Sequence, residues 1–566
     1  MDSRLTERSP GWVRKVNIVL LAGLLALWVR QFSRLLMDIA GRAGYIVDAF
    51  CVFLLAVLFA GLIGGAVRGR LTPLRFFLTM AIPLGLVYLI LFPPWGAQDT
   101  VTHYLASYRV SNLLMMQGEA GAWMGRSEDV MVLERLWPLQ PASAPNPKSA
   151  DYAALLDELY LLTGSKSLMP LTRVPQAAFC SSLNYLPQAA GLTLGRLLGL
   201  GSVLTTELGR AAVLAVYLIL CARAVRITPV GKSVFALVPL LPPCLMLGTS
   251  FSSDGVLLPV ALCWLAGLLR LSLGEMRKRN LLFSLVMTFL LGALRGGGYL
   301  LLLSPLLFLL LTEAREERGA RAVWLVLVLA AGLCSAALFD LVLSENGLSQ
   351  LVAEGGGTYS VSLIWKDPAR WLHMTLDAYA QGGLRLLAEM GGRRMGWMEK
   401  ANPQWLAYAL LSMALLACLA EKDAARLRKR DIWLLLAAVL LAVLLIPAAL
   451  LGNTPLTETA VLGLQGRYYL PVLPVLLMLI GKFHLRDPVH GAEGPRDEWE
   501  TLGSGGSVRV NRATGEVRPV EEKAAGRGEG PQEKGPSGAI LQAAYQVFAV
   551  LSVYGVWSLM RLYLTR

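Results

Sequence analysis

The sequence predicts an all-α integral membrane protein with about 13 transmembrane helices and two long outer loops carrying amphipathic helices. Three observations carry that expectation. Hydrophobic residues make up 55% of the 566 residues and charged residues only 16%, with a mean hydropathy of +0.55, whereas soluble proteins carry about 25% charged residues. Apolar runs of about 20 residues, each long enough to cross a hydrocarbon core of about 30 Å, recur along most of the chain. Lys and Arg collect in alternate connections between these runs, as the preference of basic loops for the cytoplasmic side requires.

Taken in order, the first span, about 16–33, follows MDSRLTERSPGWVRK without an A-x-A cleavage signature and reads as a retained helix. The second and third, about 45–67 and 74–94, flank a basic connection at Arg68, Arg70 and Arg75, and Pro93–Pro94 ends the third. After a long outer region come spans at about 205–222, 230–248, 254–272, 280–294, 297–313 and 321–342. Basic connections on the cytoplasmic side hold Arg223, Arg226 and Lys232, then Arg277, Lys278 and Arg279, then Arg315, Arg318 and Arg321. A second outer region precedes the spans at about 404–420, 431–451 and 466–482, with Lys422, Arg426, Arg428, Lys429 and Arg430 again inside, and about 538–562 forms the last. Outer turns are poorer in basic residues, mainly Arg30, Arg34, Arg42 and Arg295. The N-terminus is therefore expected in the cytoplasm.

Three segments interrupt the pattern. Residues 95–200 form an outer region with amphipathic pieces and a stretch containing Pro138, Pro141, Pro145 and Pro147; loops of this length in compact proteins are usually functional. Residues 343–403 are also outside, and Trp365, Trp371 and Trp397 suit a segment lying at the membrane interface. Residues 484–537, rich in Gly, Glu, Lys and Arg, read as a disordered cytoplasmic linker between a membrane domain over 1–482 and the last helix.

Several function classes drop out. The net charge of +13 follows from basic clusters between apolar runs, with no basic face interleaved with aromatics, so nucleic acid is not the expected partner. The seven cysteines, at 51, 180, 221, 244, 263, 334 and 418, form no CxxC pair and indicate neither a disulfide framework nor a zinc site. TPVGKS at 228–233 imitates the end of a P-loop, but Arg226 stands where a glycine is required and no strand precedes it. There is no HExxH, GxSxG or dinucleotide fingerprint.

The polar motifs gather where spans meet the outer surface. In PPWGAQDTVTHYLASYRVSN, residues 93–112, Asp99 and His103 are four apart and share one side of a helix; a plain N-cap explains Asp99 equally. In LGTSFSSDGV, residues 247–256, Ser250, Ser252, Ser253 and Asp254 offer hydroxyls and a carboxylate, again with capping as the alternative. In GLQGRYYLP, residues 463–471, Arg467 stands beside Gln465, Tyr468 and Tyr469. Its guanidinium suits a phosphate or carboxylate; equally, it suits lipid headgroups, with the tyrosines in an aromatic belt. Arg295 in LRGGGY is a further phosphate candidate. Asn184, Tyr185 and Pro187 in SSLNYLPQAAG shape a turn, while Gly191, Gly195 and Gly199 favour close helix packing. Glu207, Arg210 and Asp340 read as partnered structural charges. Asp99, His103, Ser250, Asp254, Arg295 and Arg467 all emerge on one side under a topology set by Lys and Arg alone, which points to one outward-facing site.

These stretches resemble a bacterial membrane-protein family known as domain of unknown function 2142, grouped with the GT-C glycosyltransferases that take sugars from polyprenyl-phosphate donors. The likeness rests on D-x-x-x-H-Y at Asp99–Tyr104 with the following AxYRxSN, NYLPQAAG at 184–191, SFSSDG at 250–255, GRRMGW at 392–397 and QGRYYLP at 465–471. It runs in one order through most of 75–482. The family pattern usually has Asp-Glu in the first outer loop, whereas Thr100 follows Asp99 here, so any role of a second acid is unfilled at that position.

The resemblance implies a GT-C-like fold and an inverting sugar transfer on the outer face of the bacterial cytoplasmic membrane. Asp99 would be the base, His103 would tune it, and Arg467 with Arg295 would hold the donor phosphate. Gln465, Tyr468, Ser250, Asp254, Asn184 and Tyr185 would line the substrate, and the donor's lipid tail would lie in an apolar groove between helices. Metal dependence varies among such enzymes; a divalent metal is left open, and Asp99 with Asp254 is a thin ligand set. The expected partners are a polyprenyl-phosphate-linked sugar, a glycan or lipid-linked acceptor, and the bilayer. Two other classes compete. A polysaccharide polymerase or ligase would share the outer site and use basic pairs such as Arg393–Arg394, and a lipid-linked sugar flippase would call for inverted repeats and midplane charges.

Overall fold

The computed structural model describes residues 11–38, 42–68, 71–94, 97, 100–117, 124–136, 167–170, 182–273, 277–311, 318–338, 357–396, 400–421, 427–482, 499–502, 508–511, 517–519 and 536–564. Among them, six helices are long and apolar enough to cross a membrane: Tyr45–Gly65, Pro73–Leu91, Ser202–Ile227, Asp254–Ser272, Arg430–Asn453 and Gly538–Leu562. Each coincides with an expected span, but the expected count of about 13 is overturned.

The reasons are local. Shorter apolar helices, Gly298–Leu311, Gly319–Ser335 and Gln404–Ala420, occupy three of the other runs. The run at 280–294 forms Lys278–Ala293, only 16 residues long. Proline breaks two more, because it lacks an amide N–H and its ring clashes with the preceding turn. The run at 230–248 divides into Lys232–Leu237, a 3-10 turn Val238–Leu240 and Pro242–Gly248. From Ser233 to Gly248 it is buried in protein rather than exposed to lipid. The run at 466–482 becomes a 3-10 turn, Gly466–Tyr469, and a helix of 9 residues, Leu473–Gly481. The 16–33 run lies in the helix Gly11–Asp38, outside the six. Hydropathy thus reports burial of any kind, not contact with lipid alone.

The helix Asp254–Ser272 is the most enclosed of the six. It packs between Ser202–Ile227 and Lys278–Ala293, and Trp264 Nε1 donates to Thr288 Oγ1 at 2.9 Å across the second contact. The helix Leu186–Leu197 turns back onto Ser202–Ile227 at Gly199, whose φ of +65° only glycine adopts without strain. Gly191 and Gly195 let the two backbones touch: a Cβ on Gly191 would lie 2.2 Å from the Leu208 carbonyl oxygen. Gly191→Ala is expected to lower stability by about 1–3 kcal/mol, because a backbone carbonyl cannot swing away as a side chain can; thermal unfolding in detergent measures it.

The described part of the first long interruption, expected at 95–200, is anchored by a buried polar cluster. Arg126 grips Asp129 with two bonds, Nε to Oδ2 at 2.7 Å and Nη2 to Oδ1 at 2.9 Å, and reaches the Leu200 carbonyl at 2.9 Å. Tyr108 donates to Asp129 Oδ2 at 2.6 Å; burial, with the Asp129 carboxylate beside it, pushes the Tyr108 hydroxyl well above its usual range and keeps it a donor. Arg196 stacks over the Tyr108 ring at 4.5 Å and donates to Ser111 Oγ at 2.9 Å. This ties the helix Thr100–Leu114 to Leu186–Leu197.

The second interruption, expected at 343–403, contains the helix Pro368–Met390, capped by Asp367 Oδ1 accepting from Arg370 N at 3.0 Å. Leu376 and Leu384 lie exposed on it and Trp365 just before it, while Met374, Ala378 and Leu386 face inward. Of the expected linker, Trp499–Leu502, Val508–Asn511 and Val517–Pro519 pair as a three-stranded antiparallel sheet. Beyond it, the helix Pro536–Leu564 returns to the bundle. Tyr545 stacks on Phe76 at 4.5 Å and shares a 2.8 Å hydrogen bond with Ser233 Oγ, and Gln542 donates to the Leu71 carbonyl at 3.3 Å.

Candidate functional site

The site is built from four short segments at the ends of helices. The first is the opening of Thr100–Leu114. Asp99 lies outside the described residues, as do Cys180 and Trp397. His103, one turn into the helix, is buried, and its Nδ1 is 2.6 Å from the Tyr185 hydroxyl. Tyr185 and Asn184 belong to the second segment, a 3-10 turn Ser182–Tyr185 that leads into Leu186–Leu197 with Pro187 in its first turn. Both turns pack on one another, and Gln188 reaches toward the carbonyls of Phe251 and Ser252 at 3.5 Å each.

The third segment is the turn into Asp254–Ser272. Ser250 Oγ donates to the Leu247 carbonyl at 3.0 Å and accepts from Ser252 N at 3.2 Å, so this hydroxyl is engaged in the turn. Asp254 is different. Its Oδ1 accepts from Arg295 Nη2 at 2.6 Å, and its Oδ2 is buried with no hydrogen-bond partner among the described residues. Arg467 and His103 lie within electrostatic reach of the same carboxylate. Arg295 sits in the 3-10 turn Leu294–Gly297 with φ +51°, a left-handed backbone that costs a side-chain-bearing residue of order 1 kcal/mol. Such strain persists where the surroundings hold a residue in place, and the ion pair with Asp254 does so here. Asp254→Ala is expected to cost about 2 kcal/mol, below the 3–5 kcal/mol of a fully buried pair, because the Arg295 side chain is 30% exposed. Thermal unfolding of the purified variant checks it.

The fourth segment is the 3-10 turn Gly466–Tyr469. The Arg467 guanidinium lies over the Tyr468 ring, 5.3 Å from its centroid, a cation–π contact that suits a partly desolvated arginine. Tyr299 donates to the Tyr468 carbonyl at 3.0 Å. At the end of the turn, Tyr469 and Tyr379 share a 2.6 Å hydrogen bond at the wall of an apolar groove of about 190 Å³, lined further by Leu386, Val439, Leu473 and Leu476.

The structure therefore brings His103, Tyr185, Asn184, Asp254, Arg295 and Arg467 into one neighbourhood. Buried polar atoms are normally paired, yet Asn184 Nδ2 and Oδ1, Ser253 Oγ, Asp254 Oδ2 and Gln465 Oε1 have no hydrogen-bond partner among the described residues. Tyr468 contributes its ring to Arg467 and its carbonyl to Tyr299. Sequence reasoning missed Tyr299, Tyr379 and Glu389; the one signal was an acid in the otherwise apolar run LLAEM. Among the described residues no group of three or more His, Cys, Asp or Glu is placed to hold a metal ion.

No curated protein and no solved structure matches the chain. One family model does, over residues 161–476, which include Asn184, Asp254, Arg295 and Arg467 and leave out Asp99 and His103. That match covers more than half of the 566 residues, and with its apolar helices it places the chain in the family described as predicted membrane protein, DUF2142.

Proposed function

We propose that this protein is a membrane glycosyltransferase that moves a sugar from a polyprenyl-phosphate donor to a cell-envelope glycan or lipid-linked acceptor. The site would face the outer side of the bacterial cytoplasmic membrane, with the N-terminus inside. One observation carries the reading: Arg295, Arg467 and Asp254, far apart in the chain, converge beside orphaned polar atoms and close to an apolar groove. An amphiphile with a phosphate head matches those two environments, since paired guanidinium groups suit phosphate oxygens and the groove suits a hydrocarbon chain.

In the reaction, the acceptor hydroxyl attacks the anomeric carbon as the carbon–oxygen bond to phosphate breaks. The bonding pair goes to the phosphate oxygen, where Arg467 and Arg295 stabilise the growing charge. The hydroxyl proton goes to a carboxylate, and the resemblance assigns that base to Asp99, with His103 orienting it. Direct attack inverts the anomeric centre. Asn184, Gln465 and the Asp254 Oδ2 atom supply donors and acceptors for sugar hydroxyls. Tyr185 holds His103, and Ser250 shapes the turn that presents Asp254.

The test is sugar transfer in membranes: purified protein, radiolabelled polyprenyl-phosphate sugars and a crude cell-envelope acceptor. Label should pass into the acceptor fraction. If no donor from a broad panel yields transfer, the enzyme reading fails, and flux of lipid-linked sugar across vesicles becomes the measurement to make.

A further inference from the structure

The turn that carries Arg467 is held mainly by one neighbour, the amphipathic helix Pro368–Met390. Two side chains of that helix grip the turn on either side of the arginine. Glu389 Oε2 accepts from Gly466 N at 2.8 Å, and the Tyr379 hydroxyl meets that of Tyr469 at 2.6 Å. Gly466 allows the close approach: a Cβ there would lie 2.5 Å from the Leu386 carbonyl oxygen and 2.7 Å from Met390 N. Three of the four residues of the turn, Gly466, Tyr468 and Tyr469, are thus tied to neighbouring elements, with Arg467 between them.

Glu389 is unusual for a packing residue. It is 4% exposed, its Oε1 is buried without a hydrogen bond among the described residues, and the Arg385 Nε that faces Oε1 is 3.8 Å away. Burying a carboxylate with so few partners opposes folding, so the acid has to be accounted for by what it holds. From this geometry we infer that Glu389 is a positioning residue, whose carboxylate fixes the Gly466 amide so that the Arg467 guanidinium receives the phosphate of an amphiphilic ligand. The inference rests on the reading of Arg467 as a phosphate ligand, and its test separates the two.

The full chain in phosphatidylcholine nanodiscs is titrated with a polyprenyl phosphate and with the matching neutral polyprenol. The quantity read is the preference for phosphate over alcohol, which general damage to the groove would not change. Wild type should prefer the phosphate. Glu389→Ala should reduce that preference about tenfold, the effect of a lost hydrogen bond to a charged group, while alcohol affinity holds. Glu389→Gln, whose amide oxygen still accepts from Gly466 N, should stay close to wild type. Tyr379→Phe removes the other latch without disturbing the buried acid and should lower the preference in the same direction, so the idea survives testing even if Glu389→Ala fails to fold.

A preference lost in Arg467→Ala and retained in both Glu389→Ala and Tyr379→Phe would overturn the inference and leave the phosphate reading standing. If Glu389→Gln loses as much as Glu389→Ala, charge rather than the hydrogen bond is responsible, and the inference also fails. No preference in wild type overturns both. Phosphatidylglycerol competing as well as polyprenyl phosphate would support the inference, with a bilayer headgroup as the phosphate source.

Discussion

Arg467→Ala is expected to lower sugar transfer by about 100-fold or more, the usual loss when one stabiliser of a developing oxyanion is removed. The expectation follows from placement. Arg467 reaches the Asp254 carboxylate electrostatically, as Arg295 does by direct contact, so both guanidinium groups, from separate turns, act on one carboxylate. Arg467→Lys should restore only part of the rate, because an ammonium is a point charge and cannot fork across two phosphate oxygens. Single-turnover transfer from a saturating labelled donor measures both. A loss confined to donor affinity, with the chemical step unchanged, would show that Arg467 binds the phosphate equally before and during reaction.

Asp99→Asn is expected to reduce the chemical step by about 100- to 10,000-fold, the range supplied by a positioned base. The amide keeps the size of the acid and loses its capacity to take a proton. The variant should fold normally. Donor binding should persist, because the proposed reaction gives the phosphate to the arginines and not to Asp99. Transfer that survives in Asp99→Asn would move the base elsewhere, first to Asp254, whose Oδ2 atom is buried and has no hydrogen-bond partner among the described residues.

The polar residues that gather in the candidate site were easier to pick out of the sequence than the number of long apolar helices. Among the described residues, six apolar runs form helices long and apolar enough to span a membrane. Pro83 and Pro259 lie inside such helices without ending them, whereas Pro239, Pro242 and Pro243 divide the 230–248 run inside its buried stretch from Ser233 to Gly248. Periodicity cannot separate a helix enclosed by protein from one bathed in lipid, since both are apolar on every side. The charged and polar motifs were easier to find, because Arg295, Arg467 and Asp254 stand at the ends of apolar runs, where a charge is conspicuous. The parts that escaped notice act through tertiary contact. Glu389 and Gly466 are 77 positions apart, and nothing in either local sequence announces their hydrogen bond. Tyr299 ends the stretch LRGGGY, and only the folded chain brings its hydroxyl to the Tyr468 carbonyl, 169 positions away.

The return of the helix Pro536–Leu564 has a consequence for biogenesis. Its Gln542 bonds to a residue 471 positions earlier, and Tyr545 covers the face of Phe76 and caps Ser233. During synthesis the early helices must therefore wait in the bilayer with that seam uncovered, exposed to lipid or to an insertion chaperone, until the late helix is delivered. Because the attachment is by side-chain contact, the two pieces made as separate polypeptides in one membrane should find each other and close the seam.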